Sequence, residues 1–131
     1  MRVSIIFSIS EWSYFVSVKI AAWENLYLDW LSNAAPSNVH VLHFEDLSAD
    51  AAGSVTAVNN FLGFGGPDPV RLKCAIEHSE GKFHRRKNED DFDPFTPEMK
   101  TMILKAIDRL DAALRETGKK PLPRHKYQYL N

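Results

Sequence analysis

Hydrophobic and polar positions over residues 11–32 repeat with the period of a helix. Trp12, Phe15, Val16, Trp23, Leu26, Tyr27, Trp30 and Leu31 recur mostly at three- and four-residue spacing. Ser13, Ser17, Glu24, Asn25 and Asp29 fall on the other faces. Ahead of this helix, Val3, Ile5, Phe7 and Ile9 alternate with Ser4, Ile6, Ser8 and Ser10, the period of a short strand. After a linker from Asn33 to Asn38 containing Pro36, the run Val39-His40-Val41-Leu42-His43-Phe44 is apolar on both faces, which suits a central parallel strand.

Three further helices carry explicit start and stop signals. Asp50 caps a helix running to about Leu62, with Val55, Val58, Phe61 and Leu62 as its expected inward face and Gly63-Phe64-Gly65-Gly66 as its end. Asp68 followed by Pro69 starts a helix bearing Val70, Leu72, Cys74, Ala75 and Ile76 that stops near His78. A charged loop follows from Ser79 to about Phe95. Thr96-Pro97-Glu98 opens the last helix, whose apolar stripe is Met99, Ile103, Ala106, Ile107, Leu110, Ala113 and Leu114 and whose stop is Gly118. Residues 119–131 read as an irregular tail. The pattern therefore holds four helices and one or two strands, too few for a stable sheet, so most of a sheet is expected to be missing from this chain.

Composition changes this picture little. The 131 residues suffice for one domain, and 44% hydrophobic with 25% charged residues is ordinary globular usage. The net charge of −1 gives no field drawing the whole chain to nucleic acid or a membrane surface, so any anion binding must be local. The single cysteine, Cys74, excludes an internal disulfide and leaves the compartment open. No apolar run approaches the ~20 residues of a membrane span. Met1-Arg2 followed by Val3–Ile9 has the outline of a signal peptide, but the apolar run is at the lower limit of length and Glu11 ends it.

The strongest chemical signal is Glu80-Gly81-Lys82-Phe83-His84-Arg85-Arg86-Lys87, which places four fixed cations within six residues beside a glycine. Guanidinium groups grip phosphate or sulfate oxygens in pairs, and glycine lets the backbone approach an anion. The competing reading is a solvated charge run balanced by Glu89, Asp90, Asp91 and Asp93. The other candidates are weaker. Gly63–Gly66 follows a helix and lacks a P-loop lysine. His40 and His43 would face opposite ways on a strand. Cys74 and His78 share a helix face but are only two ligands, so no metal is expected. Each of His40, His43 and His78 has the chemistry of a general base, but no nucleophile partner is identifiable and no catalytic residue is assigned. Glu45 and Asp46 sit where α/β proteins gather ligands, or simply cap a turn. The three tryptophans read as core, or as a stacking surface for a ring-bearing ligand.

Taken in order, these pieces resemble a known family. An aromatic helix leads to Phe44-Glu45-Asp46-Leu47, then to a helix ending Asn60-Phe61-Leu62-Gly63. The cationic loop follows, and then Asp93-Pro94-Phe95-Thr96-Pro97-Glu98-Met99. This is similar to the C-terminal portion of sulfotransferases, and most closely to the WSC-domain-containing sulfotransferase group, over about residues 11–125. The resemblance implies an α/β fold: the C-terminal part of a P-loop-like domain, mostly helical with one or two parallel strands. On that reading residues 1–131 form a partial sulfotransferase domain, with an uncertain start at 1–10 and the irregular tail at 119–131.

The resemblance also implies transfer of a sulfuryl group from 3′-phosphoadenosine 5′-phosphosulfate (PAPS) to a hydroxyl or amine on a glycan, protein or small molecule. Gly81, Lys82, Phe83, Arg85 and Arg86 would contact the nucleotide near its 3′-phosphate. A Golgi location with an N-terminal anchor is implied as well, although these 131 residues read as soluble. The glycine-, serine-, threonine- and lysine-rich phosphosulfate loop of the family has no counterpart here, nor does its usual base, so the site is expected to be incomplete. The alternative is a non-enzymatic helical module that binds an anion or an acidic partner through Lys82–Lys87. A nucleic-acid partner ranks last, given the adjacent acids and the near-zero net charge.

Overall fold

The computed structural model describes residues 9–79 and 92–130. Their regular structure is helical: α1 (Ile9–Asn33), α2 (Phe44–Ala49), α3 (Ala51–Phe61), α4 (Pro69–Glu77) and α5 (Pro97–Glu116), with short 3₁₀ turns at Pro36–Asn38 and Arg124–Lys126. The chain divides into two compact units, one made of residues 1–39 and 93–131, the other of residues 40–92.

The expected α/β architecture is overturned, since no strand occurs among the described residues. Val39 and His43 do have extended backbone (φ −118°, ψ 123° and φ −83°, ψ 135°). However, no second extended segment is described alongside, and a strand exists only where another supplies its hydrogen-bond partners. Phe44-Glu45-Asp46-Leu47, read as a strand end, instead opens α2. The Asp46 and Leu47 amides donate to the His43 carbonyl at 3.1 and 3.0 Å. Glu45 and Asp46 lie in the first turn, where the helix dipole favours negative charge. Of the other candidate strand, only Ile9 is described, and it begins α1.

The remaining elements form where local chemistry dictates. α1 contains neither glycine nor proline, and it ends shortly before Pro36. Ala35 there has ψ 135°, since a residue preceding proline is pushed out of the helical region. Asp50, Asp68 and Thr96 each cap a helix, their side-chain oxygens accepting from the amides of Gly53, Arg71 and Met99 at 2.9, 2.8 and 3.3 Å. At the end of α5 the Lys119 amide donates to the Leu114 carbonyl at 2.7 Å and the Gly118 amide to that of Arg115 at 3.0 Å. This closure needs the left-handed φ of +67° at Gly118, which glycine adopts without strain.

In the first unit α1 packs on α5. The core is Val16 and Leu31 from α1 with Met99, Ala106, Ile107, Leu110 and Leu114 from α5. Two carboxylates are buried with them. Glu24, expected on an outer face of α1, is bound by Arg109 of α5 through both oxygens, Nη2 to Oε2 being 2.7 Å. The guanidinium hydrogen bond holds the Glu24 carboxyl below its ordinary range, against the opposing effect of burial. Asp111 accepts from the Leu122 amide at 2.7 Å and from Arg124 Nε at 3.0 Å, and Arg124 also reaches Asp108 at 2.5 Å. The tail is therefore fastened along α5 although it has almost no regular structure. The Lys119 ammonium donates to the Pro36 and Val39 carbonyls, both at 2.6 Å, tying the end of α5 to the linker after α1.

The tryptophans are not all core: Trp12 and Trp23 are half-buried, while Trp30 is 59% exposed. In the second unit α3 packs with α2 and α4. None of these helices contributes a buried apolar residue, and Val55, Phe61 and Leu62, expected to face inward, are exposed. No described helix is long and apolar enough to cross a membrane.

Candidate functional site

Gly81, Lys82, Phe83, Arg85 and Arg86, with the rest of residues 80–91, lie outside the described residues. The chain on either side of them is described. Before the loop, α4 closes at His78, whose amide donates to the Cys74 carbonyl at 3.1 Å. After it, Asp93 to Phe95 is held by three polar contacts. The Asp93 carboxylate accepts from the Phe95 amide at 2.9 Å. It also pairs with Lys100 at 2.5 Å. The Pro94 carbonyl accepts from the Trp12 indole N–H at 2.8 Å. The Lys100 ammonium, and after it the Phe95 amide, hold the Asp93 carboxyl below its usual range.

This bears on the charge-run reading. Asp93 is one of the four acids that would neutralise the cationic run, and it is engaged by Lys100 and Phe95. Glu89, Asp90 and Asp91 lie outside the described residues.

The other candidates do not converge. His40 stacks on Phe61 with ring centroids 5.2 Å apart. His43 is buried at the start of α2. Cys74 Sγ and His78 Nδ1 are 3.8 Å apart, and the same ring nitrogen lies 2.8 Å from the Cys74 carbonyl, which matches their shared helix face. Among the described residues no group of three or more His, Cys, Asp or Glu side chains is placed to hold a metal ion. Gly63 and Gly65 have φ of +78° and +72°, and Gly63 follows the end of α3, in keeping with helix termination.

With the loop bracketed in this way, comparison with known proteins becomes informative. Over 103 residues the chain is 34% identical to a WSCD family member of Aedes aegypti, covering 79% of this chain and 32% of that protein. A WSCD family member of Drosophila pseudoobscura pseudoobscura is 36% identical over 92 residues, and one of Drosophila melanogaster 33% over 95; each match covers 70% of this chain and 28% of the relative. The chain has WSCD homologues. It spans about a third of the length of the curated relatives it matches. No family model and no solved structure matches the chain.

Sequence reasoning missed the pairing of the buried Glu24 with Arg109 and the Asp111–Arg124 clasp. The one available signal for Glu24 was its position among large apolar residues on α1, eight residues after Val16 and seven before Leu31.

Proposed function

We propose that the chain is part of a sulfotransferase-like protein of the WSCD family, and that it supplies half of a nucleotide clamp. Gly81, Lys82, Phe83, Arg85 and Arg86 make the clamp, and the co-substrate is PAPS. The reaction is displacement at sulfur. The acceptor hydroxyl or amine forms a new bond to sulfur, the bond from sulfur to the phosphate oxygen breaks, and 3′,5′-adenosine bisphosphate leaves as the acceptor gives up its proton.

The observation that carries the reading is the WSCD homology over 70–79% of the chain. The composition of the loop supports it, with four cations beside a glycine. Arg85 and Arg86 suit a phosphate by pairing N–H donors with its oxygens, and Gly81 leaves room for the backbone to approach. No base and no phosphosulfate loop is assigned within these 131 residues. The part proposed for this chain is therefore grip on the nucleotide, and sulfuryl transfer is a property proposed for the whole protein.

Calorimetric titration of the purified chain with 3′,5′-adenosine bisphosphate tests this. Weak binding is expected, falling further when Arg85 and Arg86 are both replaced by alanine and as salt is raised. Binding indifferent to the double substitution would contradict the role given to the loop. Micromolar binding lost in the double variant would contradict the view that the donor site is incomplete. Inorganic sulfate binding as tightly as the nucleotide would favour the alternative of a simple anion-binding module.

A further inference from the structure

On the first unit, α1 and α5 leave a groove of about 390 Å³ between them, within the size range of small-molecule sites. One wall is aromatic. Trp12 stacks on Phe15 with centroids 5.6 Å apart and planes 17° apart, and on Phe95 at 6.5 Å and 29°. Ile103 and Ile107 of α5 line the groove as well, and the lining is almost wholly apolar. The Trp12 indole N–H is already donated to the Pro94 carbonyl. Beside the polar tips of Trp23 and Tyr127, the charged member of the lining is Lys19, its ammonium 5.3 Å from the centre of the Phe15 ring. Among the described residues no carboxylate pairs with Lys19.

These features select an occupant. A sugar or another polyhydroxylated molecule would lose water from many polar groups and find almost no partners. A cation would meet Lys19. A flat ring gains from packing against the aromatic side chains that line the groove, and one anionic substituent would complement the ammonium. We propose that this groove binds a planar aromatic molecule carrying a single negative charge, with its ring against Trp12 and Phe15 and its anion at Lys19. The site uses different residues from the Gly81–Lys87 loop and does not depend on the reading of that loop.

Equilibrium dialysis of the full chain against naphthalene-2-sulfonate tests the proposal, with 2-naphthalenemethanol as the uncharged counterpart and decanoate as the non-aromatic anion. Saturable binding at one site is expected, tighter for the sulfonate than for either comparison compound. Lys19 is exposed, so Lys19→Gln leaves the fold intact and should weaken the sulfonate about threefold to fivefold, with the alcohol unaffected. Ile103→Trp should fill the groove and abolish binding, with circular dichroism confirming that the helices persist. Absence of saturable binding, equal binding of sulfonate and alcohol, tighter binding of decanoate, or no effect of Lys19→Gln would each overturn it.

Discussion

Met99→Ala should destabilise the chain by about 2–4 kcal/mol, which at this length lowers Tm by roughly 4 °C per kcal/mol. Met99 is only 1% exposed, the largest fully buried side chain described. Truncation removes its apolar surface from the core and leaves a cavity that the α1–α5 packing can only partly close. Its position sharpens the effect. Met99 is in the first turn of α5, and its amide is the one capped by Thr96. The loss therefore falls where the helix is anchored, next to the Pro94-Phe95 segment held by Trp12. Thermal unfolding followed by circular dichroism reads the shift. Because no apolar residue described in the second unit is buried, Val70→Ala at an exposed position of α4 should shift Tm by less than about 1 °C. Equal shifts for the two variants would contradict the assignment of the core to the first unit.

Arg109→Met should lower Tm by at least about 5 °C at neutral pH, because it leaves the Glu24 carboxylate buried without a partner. The half-exposed guanidinium keeps the effect below that of an ion pair buried on both sides. Adding Glu24→Leu should restore most of the loss, since the buried charge is then gone and an apolar residue fills its place. The pair also sets an acid limb. With its carboxyl held below the ordinary value of 4.5, Glu24 stabilises the folded chain fully above that pH, and the contribution fades as pH falls through the depressed value. The Tm gap between wild type and Arg109→Met should accordingly be widest above pH 4.5 and close below it. A gap that stayed constant through acid would show that lost packing, not the ion pair, causes the effect.

Much of this fold is legible in the sequence because helix boundaries are written locally. Asp50, Asp68-Pro69 and Thr96-Pro97 mark starts within a few residues of the groups they satisfy, and Gly63 and Gly118 mark stops in the same way. The strand at Val39–Phe44 is misread for the complementary reason. An apolar run shows that a segment is fit for a sheet but not that a neighbour exists, and two carboxylates at Glu45 and Asp46 favour a helix start just as well. Glu24 is misplaced because its partner Arg109 lies 85 residues away, beyond the reach of any periodicity. Of the candidate site, the sequence shows chemistry without geometry: the cations of the loop are plain in it, while the tying of Asp93 to Lys100 emerges only from the fold.

The claim that the Gly81–Lys87 loop grips the nucleotide is tested most directly by mapping where 3′,5′-adenosine bisphosphate perturbs the chain's backbone amide resonances. The account predicts shifts centred on residues 81–86 and absent from α1 and α5. Shifts centred on the α1–α5 groove, or none in the loop at saturating nucleotide, would contradict it.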